Sequence, residues 1–440
     1  MALFFIKPPP LLKKAKNAII VCNSNTCVYL FYIFCSLHKG FGGKMERLIG
    51  TVSRGIRAPI IRSGDDIVKI TVESVLKALE SENIHIQDKD IISLTEAIVA
   101  RAQGNYASVD DIASDIKALF GSDEIGLVFP IMSRNRFASC LKGFARGMKK
   151  LYLLMSFPAD EVGNHLVDLD ALDEKGINPW SDVLSEADFR TSFGFPGHRF
   201  TGIDYIAYYK SIVEAENCEV EIVLANDPRA ILKYTKNVLA CDVHTRKRTM
   251  RLLKNAGGEQ VYGLEDCLKK PVGKSGYNED FGLLGSNKAT EESVKLFPRN
   301  CAKVVESIQE EIFQKTGKKV EVMVYGDGAF KDPIGGIWEL ADPVVSPAYT
   351  GGLEGQPHEI KLKYLADNDF ASLSGVALKE AISKSIKEKN GIDLQDMASQ
   401  GTTPRRLVDL VGSLSDLTSG SGDKGTPIVY IQGYFDNFTS

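Results

Sequence analysis

A chain of 440 residues, 44% apolar and 25% charged, is long enough for two or three compact units with ordinary globular cores. The formal charge of −4 is unevenly placed: residues 1–44 carry six Lys and no Asp or Glu, leaving 47 basic against 57 acidic side chains over 45–440. That balance excludes a general nucleic-acid surface, which needs a basic face, and suits a small anionic ligand held by local cations or a metal ion.

The eight cysteines, at 22, 27, 35, 140, 218, 241, 267 and 301, form no CxxC pair. They read as reduced buried thiols of a cytoplasmic protein, with no zinc site. The N-terminal stretch has an aromatic run over 28–37. It is too short to span a bilayer, which takes about 20 residues, and no small-residue cleavage motif follows it. Gly42-Gly43-Lys44 could be encoded by a purine-rich ribosome-binding sequence, so we expect translation to begin at Met45 and residues 1–44 to be a non-native or disordered extension. An uncleaved anchor or a signal peptide is the alternative.

From residue 46 the pattern is strand, turn, helix, strand, helix. Apolar residues at helical spacing (Val68, Val72, Val75, Leu76, Leu79) predict a helix over 68–79. The run Ile91-Ile92-Ser93-Leu94 predicts a strand leading towards Arg101, and 109–120 predicts a helix ended by Gly121. Residues 125–130 and 151–157 read as buried strands joined by a helix rich in Arg and Lys. Residues 158–202 read as loop-rich, 219–225 as a strand, 231–256 as helical segments and 270–288 as a Gly-rich connection. A helix over 300–316, capped by Gly317, feeds a strand over 320–325. A strand over 359–364, a helix over 376–389, a flexible 419–425 and a last strand over 428–434 complete the chain. The fold class is α/β with α+β elements.

Four loops follow apolar strands and concentrate Gly with Asp: 64–66, 226–229, 326–332 and 367–369. Ligands of α/β proteins bind at the carboxyl ends of strands. Gly lets backbone amides approach phosphates, and clustered carboxylates hold Mg²⁺ or Mn²⁺ through hard oxygens. The competing reading is that Asp and Gly simply form good turns. Asp65 and Asp66 could coordinate a cation, or one of them could cap the next helix. Arg101 could neutralise a phosphate or be a solvated helix charge. His198 and Arg199 could meet an anionic substrate or be satisfied locally. There is no GxxxxGK[ST] loop, no GxGxxG after a strand, no GxSxG elbow and no paired-His metal motif.

GIRAPIIRSGDDI followed by DKDIISLTEAIVARAQG resembles the N-terminus of the coenzyme F-420 γ-glutamyl ligases, with their G-[IL]-P-L-I-x-x-G-D-D-L turn and S-K-A-E-G-R ending. GLLGSNKATEES resembles their G-I-D-x-S-N segment, TGKKVEVMVYGDGAF their strand ending in Asp-Thr, and EIKLKYLADNDFASLSG their late acidic helix start. The resemblance implies an F-420 ligase-like fold with mixed sheets and Gly/Asp loops at strand ends. It also implies an N-terminal ligase-like domain over 45–270 with family-specific insertions and a C-terminal one over 271–440. The implied activity is a cytoplasmic, homodimeric, GTP-dependent and Mg²⁺- or Mn²⁺-dependent ligase that joins glutamate to a phosphorylated carboxylate acceptor, with no nucleic acid or membrane partner. A catalytically silent nucleotide or phosphometabolite binder and a metal-assisted γ-glutamyl hydrolase are the rivals.

Carried over by position, nucleotide contacts fall at Ala58, Pro59, Ile60, Ile61, Glu96, Ala97, Arg101 and Asn287. Asp327 is the implied catalytic and metal-binding residue, with Asp280 and Asp367 as further metal ligands. Two departures stand out: Leu284 occupies the family's metal-binding Asp position, and Gly326 aligns with the Asp of Asp-Thr, so an Asp survives one position along. Arg101 stands where the family has Lys, which keeps the charge but changes its geometry.

Overall fold

The computed structural model describes residues 48–199, 201–326, 330–331, 338–339, 345–357, 360–388, 406–420, 422–437 and 439. The chain divides into Met1–Ile49 and Gly50–Ser440, and every element below belongs to the second unit. The expected extension over 1–44 and the expected site residue Asp327 lie outside the described residues.

In chain order the strands are β1 (Val52–Ile56), β2 (Ile91–Thr95), β3 (Tyr106–Ser108), β4 (Glu124–Val128), β5 (Lys150–Met155) and β6 (Leu184–Ser185). There follow β7 (Glu219–Leu224), β8 (Asn237–Ala240), β9 (Gln260–Gly263), β10 (Asn287–Thr290) and β11 (Ser293–Lys295). The last are β12 (Glu321–Gly326), β13 (Phe330–Lys331), β14 (Trp338–Glu339), β15 (Val345–Tyr349) and β16 (Ile428–Gln432).

One mixed sheet runs β1-β16-β2-β12-β15. β2 and β12 lie parallel with Leu94 opposite Val324, and the other pairings are antiparallel. The two-residue period of a strand sends alternate side chains into two different cores. Ile92, Leu94, Val322, Val324, Ile428 and Tyr430 face the helices Ile67–Ser81 and Cys301–Thr316. Ile91, Met323, Tyr325, Val429 and Ile431 face Val408 and Val411 of the helix Leu407–Ser419. Each such aliphatic side chain, fully buried, contributes about 1.5–3 kcal/mol relative to exposure.

Residues 124–263 build a second sheet, ordered β6-β7-β5-β4-β8-β9. Its strands β7, β5, β4, β8 and β9 are parallel, with β6 antiparallel at the edge. Taken in chain order, the five parallel strands stand as 3-2-1-4-5, a doubly wound sheet whose order reverses between β4 and β8. Its apolar runs are continuous because both faces are covered. Ile125, Leu127, Leu151, Leu153, Ile222 and Leu239 enter one core, whereas Val128, Tyr152, Leu154, Val223 and Val238 enter the other. A small antiparallel sheet, β10-β11-β3, follows in the fold, and β13 pairs with β14. The five-stranded sheet thus takes strands from both sides of residue 270, and residues 124–263 supply a sheet of their own.

Local chemistry sets the helix ends. Asp66 caps Ile67–Ser81, its side chain accepting from Lys69 N at 3.0 Å. Ser108 and Asp111 form a capping box at Val109–Phe120, which ends at Gly121 with φ +59°. Two expectations are corrected, and one segment left unassigned is helical. Residues 237–240 form β8 rather than helix, because a short apolar run between covered faces pairs in parallel with β4 and β9. Leu362–Asp367 is a helix, not a strand, and buries Leu365 with Ile382 of the helix Gly375–Lys387. Leu407–Ser419, unassigned from sequence, is a helix whose Gly412, Ser413 and Ser415 are buried together with Val408 and Val411. Among the described residues no helix is long and apolar enough to cross a membrane.

Candidate functional site

Residues 61–66 fold back on the end of the helix Glu96–Ala102. Gly64 N donates to Ala102 O at 2.8 Å, and Arg101 Nε donates to Ile61 O at 2.5 Å. Gly104 turns the chain at φ +61°, a left-handed conformation that favours glycine, beside the Ser63 hydroxyl. Asp65 accepts from Arg62 N at 2.6 Å. Both acidic residues of the Gly-Asp-Asp turn therefore serve turn and cap. Arg101 is exposed while stapling the Ile61 carbonyl, which brings two expected contact residues together.

Ala58 N donates to Gly425 O at 3.1 Å, fastening this segment to the entry of β16. Pro59 lines an open groove of about 1000 Å³ between β1 and the helix Ile67–Ser81, alongside Arg54, Arg57, Lys77 and Lys424. Ile60 is 78% exposed next to it.

The strongest concentration of chemistry lies at the adjoining carboxyl ends of the parallel strands β2 and β12. Glu96 starts the helix that follows β2, and Lys295 ends β11. Lys295 Nζ sits 2.8 and 2.6 Å from the two oxygens of Glu96, with side chains only 12% and 10% exposed. Gly326, the last residue of β12, leaves room for this carboxylate: a Cβ there would stand 2.8 Å from Glu96 Cγ. Asn287 lies directly opposite Lys295 in the β10–β11 pairing. Glu96, Lys295, Asn287 and Gly326 thus meet from four elements, and the chain leaves Gly326 for Asp327. Ala97 follows Glu96 inside the same helix. A buried ion pair costs desolvation that its attraction only partly repays, so it is weak evidence for a stabilising role. Nearby Cys301 is no nucleophile: burial, with the Glu96 charge, pushes its thiol up to about 12.

The turn carrying Leu284 is organised by Asn278. Its Oδ1 accepts from Asp280 N at 3.0 Å and Phe281 N at 2.9 Å, and its Nδ2 donates to Phe297 O and Pro298 O. Leu284 is partly buried against the apolar core. Asp280 is exposed on that turn, and Asp367 is exposed at the end of its short helix. Among the described residues no group of three His, Cys, Asp or Glu side chains is placed to hold a metal; Asp327, the third member of the expected set, lies outside them. His198 is buried, its Nδ1 lies 3.1 Å from Thr201 Oγ1, and its ring packs edge-on to Tyr205, which satisfies it locally.

Sequence reasoning missed Lys295, a lone Lys in a short strand, 199 residues from its partner. It also missed Asn105, whose Nδ2 donates to Tyr277 O and Phe297 O and whose Oδ1 accepts from Tyr277 N. Neither has a motif. The only available signal was a polar residue flanked by apolar runs.

A family model described as F420-0:Gamma-glutamyl ligase matches residues 55–433. No curated protein matches the chain.

Proposed function

The chain belongs to the F420-0:gamma-glutamyl ligase family, and on that premise we propose that it forms a γ-glutamyl-type amide bond with GTP as the phosphoryl donor. A carboxylate oxygen of the acceptor attacks the γ-phosphorus and GDP leaves, giving an acyl phosphate. The α-amine of glutamate then attacks the acyl carbon, inorganic phosphate departs and the amine loses a proton. Mg²⁺ or Mn²⁺, bound with GTP, would spread the charge of the transferring phosphoryl.

The observation that carries this reading is the secluded Glu96–Lys295 pair beside Gly326 at the carboxyl ends of β2 and β12. Lys295 offers a cation for a transferring phosphoryl or a departing phosphate. Glu96 offers a carboxylate to accept the amine proton once Lys295 turns to the phosphate. Arg101, anchored through Nε, adds exposed positive charge at the far end of the helix Glu96–Ala102. Ala58, Pro59, Ile60, Ile61, Ala97 and Asn287 complete the proposed nucleotide-facing surface, and Asp327 remains the proposed catalytic and metal-binding carboxylate. A homodimer and a cytoplasmic setting belong to the same proposal.

The test is incubation of the full chain with GTP, glutamate and the deazaflavin carboxylate precursor, following GDP release. We expect release that depends on both glutamate and precursor and falls about 100-fold in Glu96→Gln and in Lys295→Met. GTP binding without precursor-dependent GDP release would instead establish a silent nucleotide binder.

A further inference from the structure

In an open α/β sheet, ligands bind in the crevice where strand order reverses. Here that crevice lies between the carboxyl ends of β4 and β8, in the layer built from residues 124–263, and the ligase reading makes no use of it. The loop after β5 passes over it. Asp160 in that loop is fully engaged, accepting from Met132 N at 2.7 Å, Val162 N at 3.1 Å and Asn164 at 2.8 Å. Its neighbour Glu161 reaches across to the segment after β8, accepting from the amides of Val243, His244 (3.0 Å) and Thr245 (3.4 Å), which lead into the helix Arg246–Asn255.

Asp242 stands directly before those amides and is fully buried. Its Oδ2 accepts from the hydroxyls of Thr245 (2.6 Å) and Thr249 (2.8 Å), whereas its Oδ1 has no hydrogen-bond partner. The Thr245 hydroxyl also lies 3.5 Å from Glu161 Oε2, so one hydroxyl adjoins both carboxylates but has a single proton to donate.

The neighbouring cation does not close the account. Arg246 pairs with Glu265 through Nε and donates from Nη1 to the Asp242 and Val243 carbonyls, not to a carboxylate oxygen of Asp242. His244, the other basic neighbour of Glu161, is exposed. Two neighbouring carboxylates with one orphaned oxygen call for a proton or a cation.

We propose that Asp242 and Glu161 hold a divalent cation, Mg²⁺ or Mn²⁺, in this crevice, with Asp242 Oδ1 as the principal ligand. Mg²⁺ is commonly bound through one or two carboxylates while keeping several waters. Those waters are exchangeable for the oxygens of an anionic small molecule entering the crevice. The site shares no residue with the Glu96–Lys295 pair and does not depend on whether the chain ligates.

The test is titration of the full chain with Mn²⁺ while the amide resonances of Val243, His244 and Thr245 are observed. We expect these resonances to broaden and to recover when Mg²⁺ is added in excess. Affinity at this site should fall at least about tenfold in Asp242→Asn and in the near-isosteric Glu161→Gln, and persist in Asp327→Asn. Sharp amides at 243–245 while Mn²⁺ binds around Glu96 would overturn this site and leave the ligase reading standing. Undiminished broadening in both folded variants would overturn it equally. Loss of GDP release alone would bear on the ligase reading and not on this one.

Discussion

Burial holds the Asp242 carboxyl above the ordinary carboxylate range, countered in part by hydroxyl donation from Thr245 and Thr249 and by the charge of Arg246. Glu161 is raised as well, by burial first and then by the charge of Asp242, against the amides of Val243 and His244. A carboxyl raised on folding binds its proton more tightly in the native state. Its contribution to stability is therefore complete below the unfolded value and is lost as pH rises through the folded one. In EDTA we expect Asp242→Asn to melt above the wild-type chain at pH 7, with the gap narrowing as the pH falls through the raised folded value and closed below about 4. A gap that widened on acidification would reverse the sign. At this scale the sequence was partly legible. The Gly-Asp-Asp turn announced a cap, and Asp66 is one, because capping is settled within four residues. Asp242 was not singled out, since nothing within four residues says that it is buried.

Elements bring the proposed site together in pairs. Lys295 belongs to β11, and Glu96 to the helix following β2. Their contact depends on β11 pairing with β3, Lys295 opposite Tyr106, just beyond the end of that helix. Removing one partner of a secluded pair strands the other's charge, whereas removing both does not. We expect Glu96→Gln and Lys295→Met each to cost about 3–5 kcal/mol and the double variant to cost clearly less than their sum. Urea unfolding of the four proteins supplies the cycle, and strictly additive losses would mean that the pair does not interact. Long amphipathic elements were readable for a related reason. Ile67–Ser81 and Cys301–Thr316 carry their buried faces in their own periodicity. β8 and Leu362–Asp367 are short, and their conformation follows from what they pack against.

Across the whole molecule, Asn105 ties the junction of the helix after β2 and β3 to the chain on either side of β10 and β11. It sits between the helix after β2 and the strand β3, fully buried, and binds three backbone groups of the 277–297 segment. Asn105→Ala leaves the carbonyl and amide of Tyr277 without their partner and Phe297 O with Asn278 as its remaining donor, so we expect a loss above about 2 kcal/mol and a lower urea midpoint. A midpoint equal to that of the wild-type chain would remove this residue from the junction. Such long-range ties escape sequence reasoning because the partners, some 170–190 residues distant, share no local pattern with it.

The α/β class, the helix caps, the long amphipathic helices and the family resemblance of 55–104 and 280–380 followed from the amino-acid order alone, because propensity, periodicity and motif spacing act over a few neighbouring residues. Tertiary structure alone decided that residues 124–263 close into a doubly wound sheet whose strand order reverses between β4 and β8. It also decided that Glu96 meets Lys295 beside Gly326, and that Asp280 and Asp367 stand exposed on separate elements. Burial and charge pairing belong to residues distant in the chain, and only the packed chain determines which of them share a low-dielectric space.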